Sequence, residues 1–429
     1  MLVGSAVRRV AILGGIRIPF ARANGAYARF GNQDLLTATF RGLIDRFGLA
    51  GQRLGDVIAG AVIKHSKDYN LVRECVLGSG LDPHTPGLDV QRACGTSAEA
   101  AILVGNKIAL GQIEAGIAGG VDSISDPPIV YPHAYQQLLL SSYSGRSFWQ
   151  RMKPWLSLRP RHLKPILPGV IEPRTGLSMG QSCELMVKSW KISREDQDEL
   201  AFQSHRHAAE AWTEGFFDDL VIEYRGLKSD NNIRSDTSRE KLSKLRPTFD
   251  LSGSGTLTAG NSTPLTDGAA AVLLASEEWA AAHKLPVLAY LRYGKQWAVD
   301  FVGAKEGLLM APTYAVAAML REAGLGLQDF DYYEIHEAFA GQVLCTLAAW
   351  ESAEYCRDVL GEKKALGSID RAKLNVKGGS VAIGHPFAAT GARIVATLAK
   401  LLSNDANAKR GLISVCTAGG MGVAAILER

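Results

Sequence analysis

Several things are missing from this sequence, and each absence removes a class of function. The six cysteines, at 75, 94, 183, 345, 356 and 416, form no C-x-x-C pair, which argues against a zinc knuckle or a disulfide framework and fits a reducing compartment. No apolar run approaches the ~18 residues of a membrane-spanning helix. There is no P-loop, and no G-x-G-x-x-G follows a strand with an acidic residue about 20 positions on. The net charge of +4 over 429 residues is too small for a dedicated nucleic-acid binder, and no zinc-finger or RNA-binding spacing is present. The opening stretch MLVGSAVRRVAILGGIRIPF lacks the order of a signal peptide, basic residues first and then an unbroken apolar region. It reads instead as a first strand, VAILGG, and the expected location is cytoplasmic.

Acidic residues are also missing from one long segment. Residues 127–171 contain no Asp or Glu, but hold Arg146, Arg151, Lys153, Arg159, Arg161 and Lys164, with Phe148, Trp149 and Trp155 among them. Such a stretch suits a solvated loop, the phosphates of a ligand, a partner protein, or anionic lipid headgroups at a membrane surface.

What is present is glycine and small apolar residues. The chain is 47% hydrophobic and 21% charged, with 45 glycines, a globular composition long enough for two or three domains. Short apolar runs ending in glycine alternate with segments of helical period: VAILGG before DLLTATFRGLIDRFG, and EAGIAGG after SAEAAILVGNKIALG. Strands alternating with helices predict parallel sheet covered by helices. VQRACGTSAEAAILVGNKIALGQIEAGIAGG and SVAIGHPFAATGARIVATLAKLLSN…GLISVCTAGGMG run in the same order, a turn, a small-residue helix start and a glycine-ended strand. That suggests two related halves around one site, with a proline-rich excursion from 124 to about 250 between them. Within the excursion, Ser193 is an expected N-cap for a helix beginning REDQDEL.

Four stretches carry residues suited to chemistry. Cys94, at a turn before a helix, would meet the positive end of the helix dipole and free backbone N–H groups, which favour a thiolate and can hold an oxyanion. His385, between Gly384 and Pro386, is rigidly set and suits a base. Cys416, at the end of a β-branched run, has a thiol whose reference pKa of ~8.5 allows acid–base work. EIHEAFAG opens like the zinc motif H-E-x-x-H, but the last position is Ala340, so no metal site is expected there. Cys94 with His385 alone suggests acyl transfer through a thioester. Adding Cys416 gives a nucleophile, its activator, and a separate proton donor for a carbon leaving group.

At these residues the chain resembles the thiolases. The likeness rests on RACGTSAEA, TAGNSTPLTDGAAAVLL, HEAFA, GGSVAIGHPFAATGAR and CTAGGMG, in the family's order and over nearly the whole chain. HEAFA, where many thiolases have Asn-Glu-Ala-Phe, together with NSTPLTDG and the basic insertion, resembles most the β-subunits of trifunctional-type fatty-acid oxidation complexes. The resemblance implies an α/β thiolase fold: two βαβαβαββ halves in a five-layered αβαβα core with an inserted loop domain. The expected division is 1–123 with 251–286, the insertion 124–250, and 287–429. It implies Cys94 as nucleophile, His385 as its activator, Cys416 as acid/base, and His336 binding the thioester oxygen with His385 through a water. The backbone N–H groups of Cys94 and Ala418 would form a second oxyanion hole. Many thiolases have glycine at Ala418, so the donor should survive if the alanine keeps a negative φ. Asn261, Thr263 and Phe339 match the block lining the pantetheine tunnel.

The implied activity is thiolysis of 3-ketoacyl-CoA in β-oxidation, with coenzyme A as co-substrate and no other cofactor or metal. A biosynthetic acetoacetyl-CoA thiolase shares the catalytic residues. A decarboxylating ketoacyl synthase would not need Cys416, and a non-catalytic CoA- or lipid-binding scaffold would not need the trio. The resemblance further implies a homodimer or homotetramer and a hydratase/dehydrogenase α-subunit as partner. Residues 127–171 are the candidate contact with that subunit or with a membrane, and no nucleic acid is expected.

Overall fold

The strands Val10–Arg17, Ala115–Asp122 and Thr266–Ser276 are buried along their whole length, which is why they read as apolar runs in the sequence rather than as alternating patterns. The computed structural model describes residues 7–166, 169–303 and 305–429. Two expectations touch undescribed residues: 1–6 of the opening stretch, and 167–168 within the basic segment.

The first half runs β1 (Val10–Arg17), β2 (Ala21–Arg22), α1 (Asn32–Phe47), β3 (Asp56–Ala59), α2 (Leu71–Ser79), β4 (Gly87–Asp89), α3 (Thr96–Ala109) and β5 (Ala115–Asp122). The chain then leaves the sheet through α4 (His133–Ser144), α5 (Phe148–Met152), α6 (Met179–Ser189), α7 (Arg194–Thr213) and α8 (Arg239–Ser243). It returns as β6 (Thr266–Ser276), followed by α9 (Glu277–Ala282). The second half comprises β7 (Ala289–Ala298), α10 (Ala311–Ala323), β8 (Tyr332–Ile335), α11 (Ala340–Glu351) and α12 (Ala353–Asp358). It continues through α13 (Ser380–Ile383), α14 (Thr390–Asn404), β9 (Arg410–Thr417) and β10 (Met421–Glu428).

The strand order β4-β3-β5-β6-β1-β7-β10-β9-β8 is a mirror pattern about the β1/β7 seam. On one side β1 and β5 flank β6 antiparallel and β3 joins β5 parallel; on the other, β7 and β9 flank β10 antiparallel and β8 joins β9 parallel. The seam itself is short, Ala11 against Tyr290 and Ile12 against Ala289.

Three apolar clusters fill the layers. Leu36 and Phe40 of α1 pack with Val72 and Val76 of α2 against the outer face of the first half-sheet. Val316 and Leu320 of α10 and Val343 and Leu347 of α11 do the same on the second. Between them, Val104 and Ile108 of α3 and Leu398 and Leu402 of α14 meet Val10 and Ile12 of β1 and Ile413 and Val415 of β9. The result is the expected five-layered α/β thiolase architecture, with α3 and α14 as the central layer. Ser193 does cap α7, its side chain accepting the N–H of Asp196.

The basic segment, open in the sequence reading, contains α4, α5 and short 3₁₀ turns. It leaves large apolar side chains in solvent, Trp149 at 78% and Leu156 at 89% exposed. Among the described residues no helix is long and apolar enough to cross a membrane.

Candidate active site

Cys94 stands on a tight turn just ahead of α3. Gly95 N–H bonds the Arg92 carbonyl, Arg92 N–H bonds Thr96 Oγ1, and Thr96 Oγ1 donates to the Ala93 carbonyl at 2.7 Å. To make that turn Ala93 adopts φ +43°, a left-handed conformation uncommon for a residue with a Cβ and typical of functional turns. The other half supplies His385 from the equivalent position, on the loop between α13 and α14. Asp122 at the end of β5 holds that loop: its carboxylate accepts Ala388 N–H at 2.8 Å together with the N–H groups of Val62 and Ile63. Burial lifts the Asp122 carboxyl to about 7, opposed by those three N–H donors.

Cys94, His385 and His336 converge, their ligating atoms all within 4.8 Å of one another. His336 follows β8, and its ring centroid lies 4.1 Å from that of His385. Each imidazole is anchored through Nδ1, His336 to Ser380 Oγ at 2.8 Å and His385 to Thr390 Oγ1 at 2.6 Å, while both buried Nε2 atoms lack a partner. Cys94 is half-buried and Cys416, the next-to-last residue of β9, is fully buried. Burial raises the Cys416 thiol well above its ordinary value, and the neighbouring Cys94 adds to the rise.

The electrostatics correct one expectation. Helix dipole and amides were expected to favour the Cys94 thiolate. Instead burial pushes the Cys94 thiol up to about 12, although the N–H groups of Ala418 and of Cys94 itself pull the other way. Loss of water outweighs two amide donors. His385 is held down to about 3 by burial, with the Arg393 charge adding to it, and His336 is held well below its ordinary value by the same two causes and by His385. Both shifts favour the uncharged pair, thiol and neutral imidazole, so His385 is available as a base for the Cys94 proton.

The turn after β9 carries Ala418, which is absent from the positive-φ residues, followed by Gly419 at +77° and Gly420 at +68°. The Ala418 and Cys94 N–H groups thus both face the Cys94 sulfur. Glu172, from the insertion, accepts Gly419 N–H at 2.5 Å and ties this turn down.

The softer site residues divide. Thr263 donates its N–H to the Ala338 carbonyl at 3.2 Å, and Phe339 packs edge-on against Phe249 with centroids 5.7 Å apart, in the apolar cluster that holds Cys416. Asn261 is held inside the fold. It is fully buried, its Nδ2 donates to Asp198 and to the Thr256 carbonyl, and its Oδ1 accepts Thr258 N–H. Its side-chain amide braces the loop.

Sequence reasoning assigned no role to Asp122, Glu172, Ser380, Thr390 and Arg393, or to Glu337, whose carboxylate accepts from Ser204, Asn375 and Val381 and ties HEAFA to the GGSVAIG loop. An arginine inside the apolar run AATGARIVATLA was the one visible signal.

The chain matches the family models "Thiolase, N-terminal domain" over residues 10–278 and "Thiolase, C-terminal domain" over residues 286–429. It is 43% identical to a 3-ketoacyl-CoA thiolase of Pectobacterium carotovorum, covering 98% of this chain and 96% of the relative. It is 42% identical to one of Yersinia pestis, covering 98% and 97%. Among solved structures it is similar to the acetyl-CoA acetyltransferase of Bacillus anthracis (TM-score 0.82, 29% identity, 99% and 100% covered). The human mitochondrial 3-ketoacyl-CoA thiolase gives TM-score 0.79, 28% identity, and 98% and 99% coverage. An Ascaris suum thiolase in complex with coenzyme A gives TM-score 0.80, 26% identity, and 98% and 100% coverage.

Proposed function

The chain belongs to the thiolase family, and from that membership we propose that it is a 3-ketoacyl-CoA thiolase, cleaving 3-ketoacyl-CoA with CoA through an acyl-cysteine on Cys94. It is an acyltransferase, and coenzyme A is a co-substrate. The observation that carries the reading is the trio of Cys94, His336 and His385, with both imidazole Nε2 atoms unpartnered and a second thiol, Cys416, beside it.

His385 Nε2 takes the Cys94 proton as the sulfur attacks the 3-keto carbon. The oxyanion that forms is held by the N–H groups of Cys94 and Ala418. Losing one such donor typically costs ~2.7–4 kcal/mol. The C2–C3 bond then breaks. Its electron pair becomes the enolate of acetyl-CoA, held at its oxygen by His336 and His385, and the Cys416 thiol gives its proton to C2. Free CoA next attacks the acyl-Cys94 thioester. The Cys416 thiolate takes the CoA thiol proton, Cys94 leaves and recovers its proton from His385, and a shortened acyl-CoA is released. In reverse, the same residues join two acyl-CoAs, so direction is not written in the trio.

The test is CoA-dependent thiolysis of acetoacetyl-CoA and of a long-chain 3-ketoacyl-CoA, with Cys94→Ala as control. Preference for the long chain, lost in the variant, supports the degradative reading. Cleavage of acetoacetyl-CoA alone moves the assignment to a biosynthetic acetyltransferase, and no cleavage of either revives the binding scaffold.

The insertion is read as a docking surface. The exposed Phe148, Trp149 and Leu156 beside Arg151, Lys153, Arg159 and Arg161 support a contact with a membrane or with a hydratase/dehydrogenase α-subunit. Reversing those four charges should weaken binding to anionic liposomes or to that subunit; unchanged binding to both ends the idea. The remaining thiolase surface is expected to form a homodimer or homotetramer, and the protein to act in the cytoplasm.

A further inference from the structure

Two histidines side by side in one pocket raise a question that the proposed mechanism leaves open. It needs Nε2 of His385 as an acceptor and Nε2 of His336 as a donor, yet the two imidazoles are chemically alike and share a wall. What stands behind each ring separates them.

Behind His336 is a buried chain of polar groups. Arg393 Nη2 donates to Ser380 Oγ at 2.8 Å, and Ser380 Oγ lies 2.8 Å from His336 Nδ1. Arg393 Nη1 also approaches Glu334 Oε2 at 3.4 Å. Ser380 and His336 are fully buried, and Glu334 and Arg393 nearly so, so none of these groups can turn to solvent. A guanidinium has donors and no acceptor. In its bond to Arg393, therefore, the Ser380 oxygen accepts. Its single hydroxyl hydrogen then has one hydrogen-bonding partner, the Nδ1 of His336. If Nδ1 instead carried the ring proton, the hydroxyl hydrogen would be left buried and unpaired, a penalty of about 1–3 kcal/mol. The count closes only with the ring proton on Nε2, the buried atom that has no protein partner and faces Cys94 and His385. Behind His385 the arrangement is different. No cation holds Thr390 Oγ1 as an acceptor, so this hydroxyl can donate to or accept from His385 Nδ1 and the His385 tautomer is left free to change.

We propose that Arg393, acting through Ser380, locks His336 as the Nε2–H tautomer, a fixed donor beside a His385 whose proton can come and go. Ser380 and Arg393 are positioning residues on this account, and the inference rests on the thiolase reading of the same site. Without the lock, His336 would turn a lone pair toward the developing enolate oxygen and repel it. A ring whose tautomer is set by the partner of its other nitrogen is a general device, and breaking such a partner typically costs about 10- to 100-fold.

The test combines a spectroscopic signature with a mutant cycle. In wild-type protein labelled with ¹⁵N-histidine, and with the His336 signals assigned by their loss in His336→Asn, Nε2 should carry the proton and Nδ1 should show the shift of an unprotonated ring nitrogen. A proton on Nδ1 overturns the proposal. Ser380→Ala should mix the tautomers and lower kcat about 10- to 100-fold with little change in KM. Ser380→Thr, which keeps the hydroxyl, should restore both signature and rate and so separates the lost bond from a lost fold. An asparagine carboxamide donates without any tautomer to fix, so in the His336→Asn background Ser380→Ala should cost far less. An undiminished penalty there overturns the proposal, because Ser380 would then act by some other route. Failure of the thiolase reading is a separate result, namely no thiolysis by wild type, and the tautomer is still read by NMR in that case.

Discussion

Ser97 in the first half accepts the backbone N–H of Ala392 in the second, at 2.8 Å. The bond ties the first turn of α3 to the first turn of α14, and the two helices start where their halves carry Cys94 and His385. The contact is close because residue 391 is glycine: a Cβ there would lie 2.3 Å from Ala98 N. The active site is thus the crossing point of two equivalent helix starts, one bringing the nucleophile and the other its base.

Gly391→Ala should therefore separate the two helix starts. The obstacle is backbone and cannot rotate away, and overpacking of this kind costs about 1–3 kcal/mol. The expected outcome is a lower denaturant midpoint and a fall in kcat larger than any change in KM. Thiolysis kinetics alongside urea unfolding check it, and a variant with wild-type kinetics would mean the crossing does not set the geometry.

Acid should not switch His385 off in the ordinary histidine range. Its folded-state pKa is depressed from 6.5 to about 3, so on lowering the pH through 6.5 the unfolded chain takes up a proton that the folded protein refuses. Stability from this group is present above 6.5 and is lost as pH falls toward 3, while the imidazole of the folded enzyme remains a base throughout. His205, held down to about 4 by burial, acts in the same sense. A profile of kcat/KM from pH 5 to 9 should lack an acid limb near 6.5. A limb centred there that persists in Asp122→Asn, which removes the carboxyl lifted to about 7, would show that His385 titrates as an exposed histidine does.

Glu172→Ala should loosen the turn carrying the Ala418 N–H, since the carboxylate accepts from the neighbouring Gly419 N–H. Hydrogen bonds to charged groups are worth about 1.5–3 kcal/mol, and a part of that should surface as a fall in kcat of roughly 3- to 10-fold. Glu172→Gln keeps an acceptor oxygen and should lose less. Equal loss in the two variants would point to the charge rather than the bond.

The sequence carried the site's reactive atoms but little of what holds them. Cys94 and His385 each precede a small-residue helix start, and that local repetition survives as α3 and α14, the central layer of the fold. The long buried strands were visible as glycine-ended apolar runs. The direction of the Cys94 shift was not legible, because it depends on how much water the packed neighbours exclude. The partner that holds the Asn261 amide, Asp198, is 63 positions away. Glu172 is 247 positions from Gly419 and nothing local marks it. Long-range hydrogen bonds of this kind are a property of the folded chain, and no window of sequence contains both ends.

The most direct measurement of the central claim is peptide mass mapping after the enzyme is mixed with a long-chain 3-ketoacyl-CoA and no free CoA. The expected result is an acyl group, shorter than the substrate acyl by an acetyl unit, on the peptide containing Cys94 and released when CoA is added. An acyl group found on Cys416 instead, or turnover by wild type with no acyl-cysteine at all, would contradict the account.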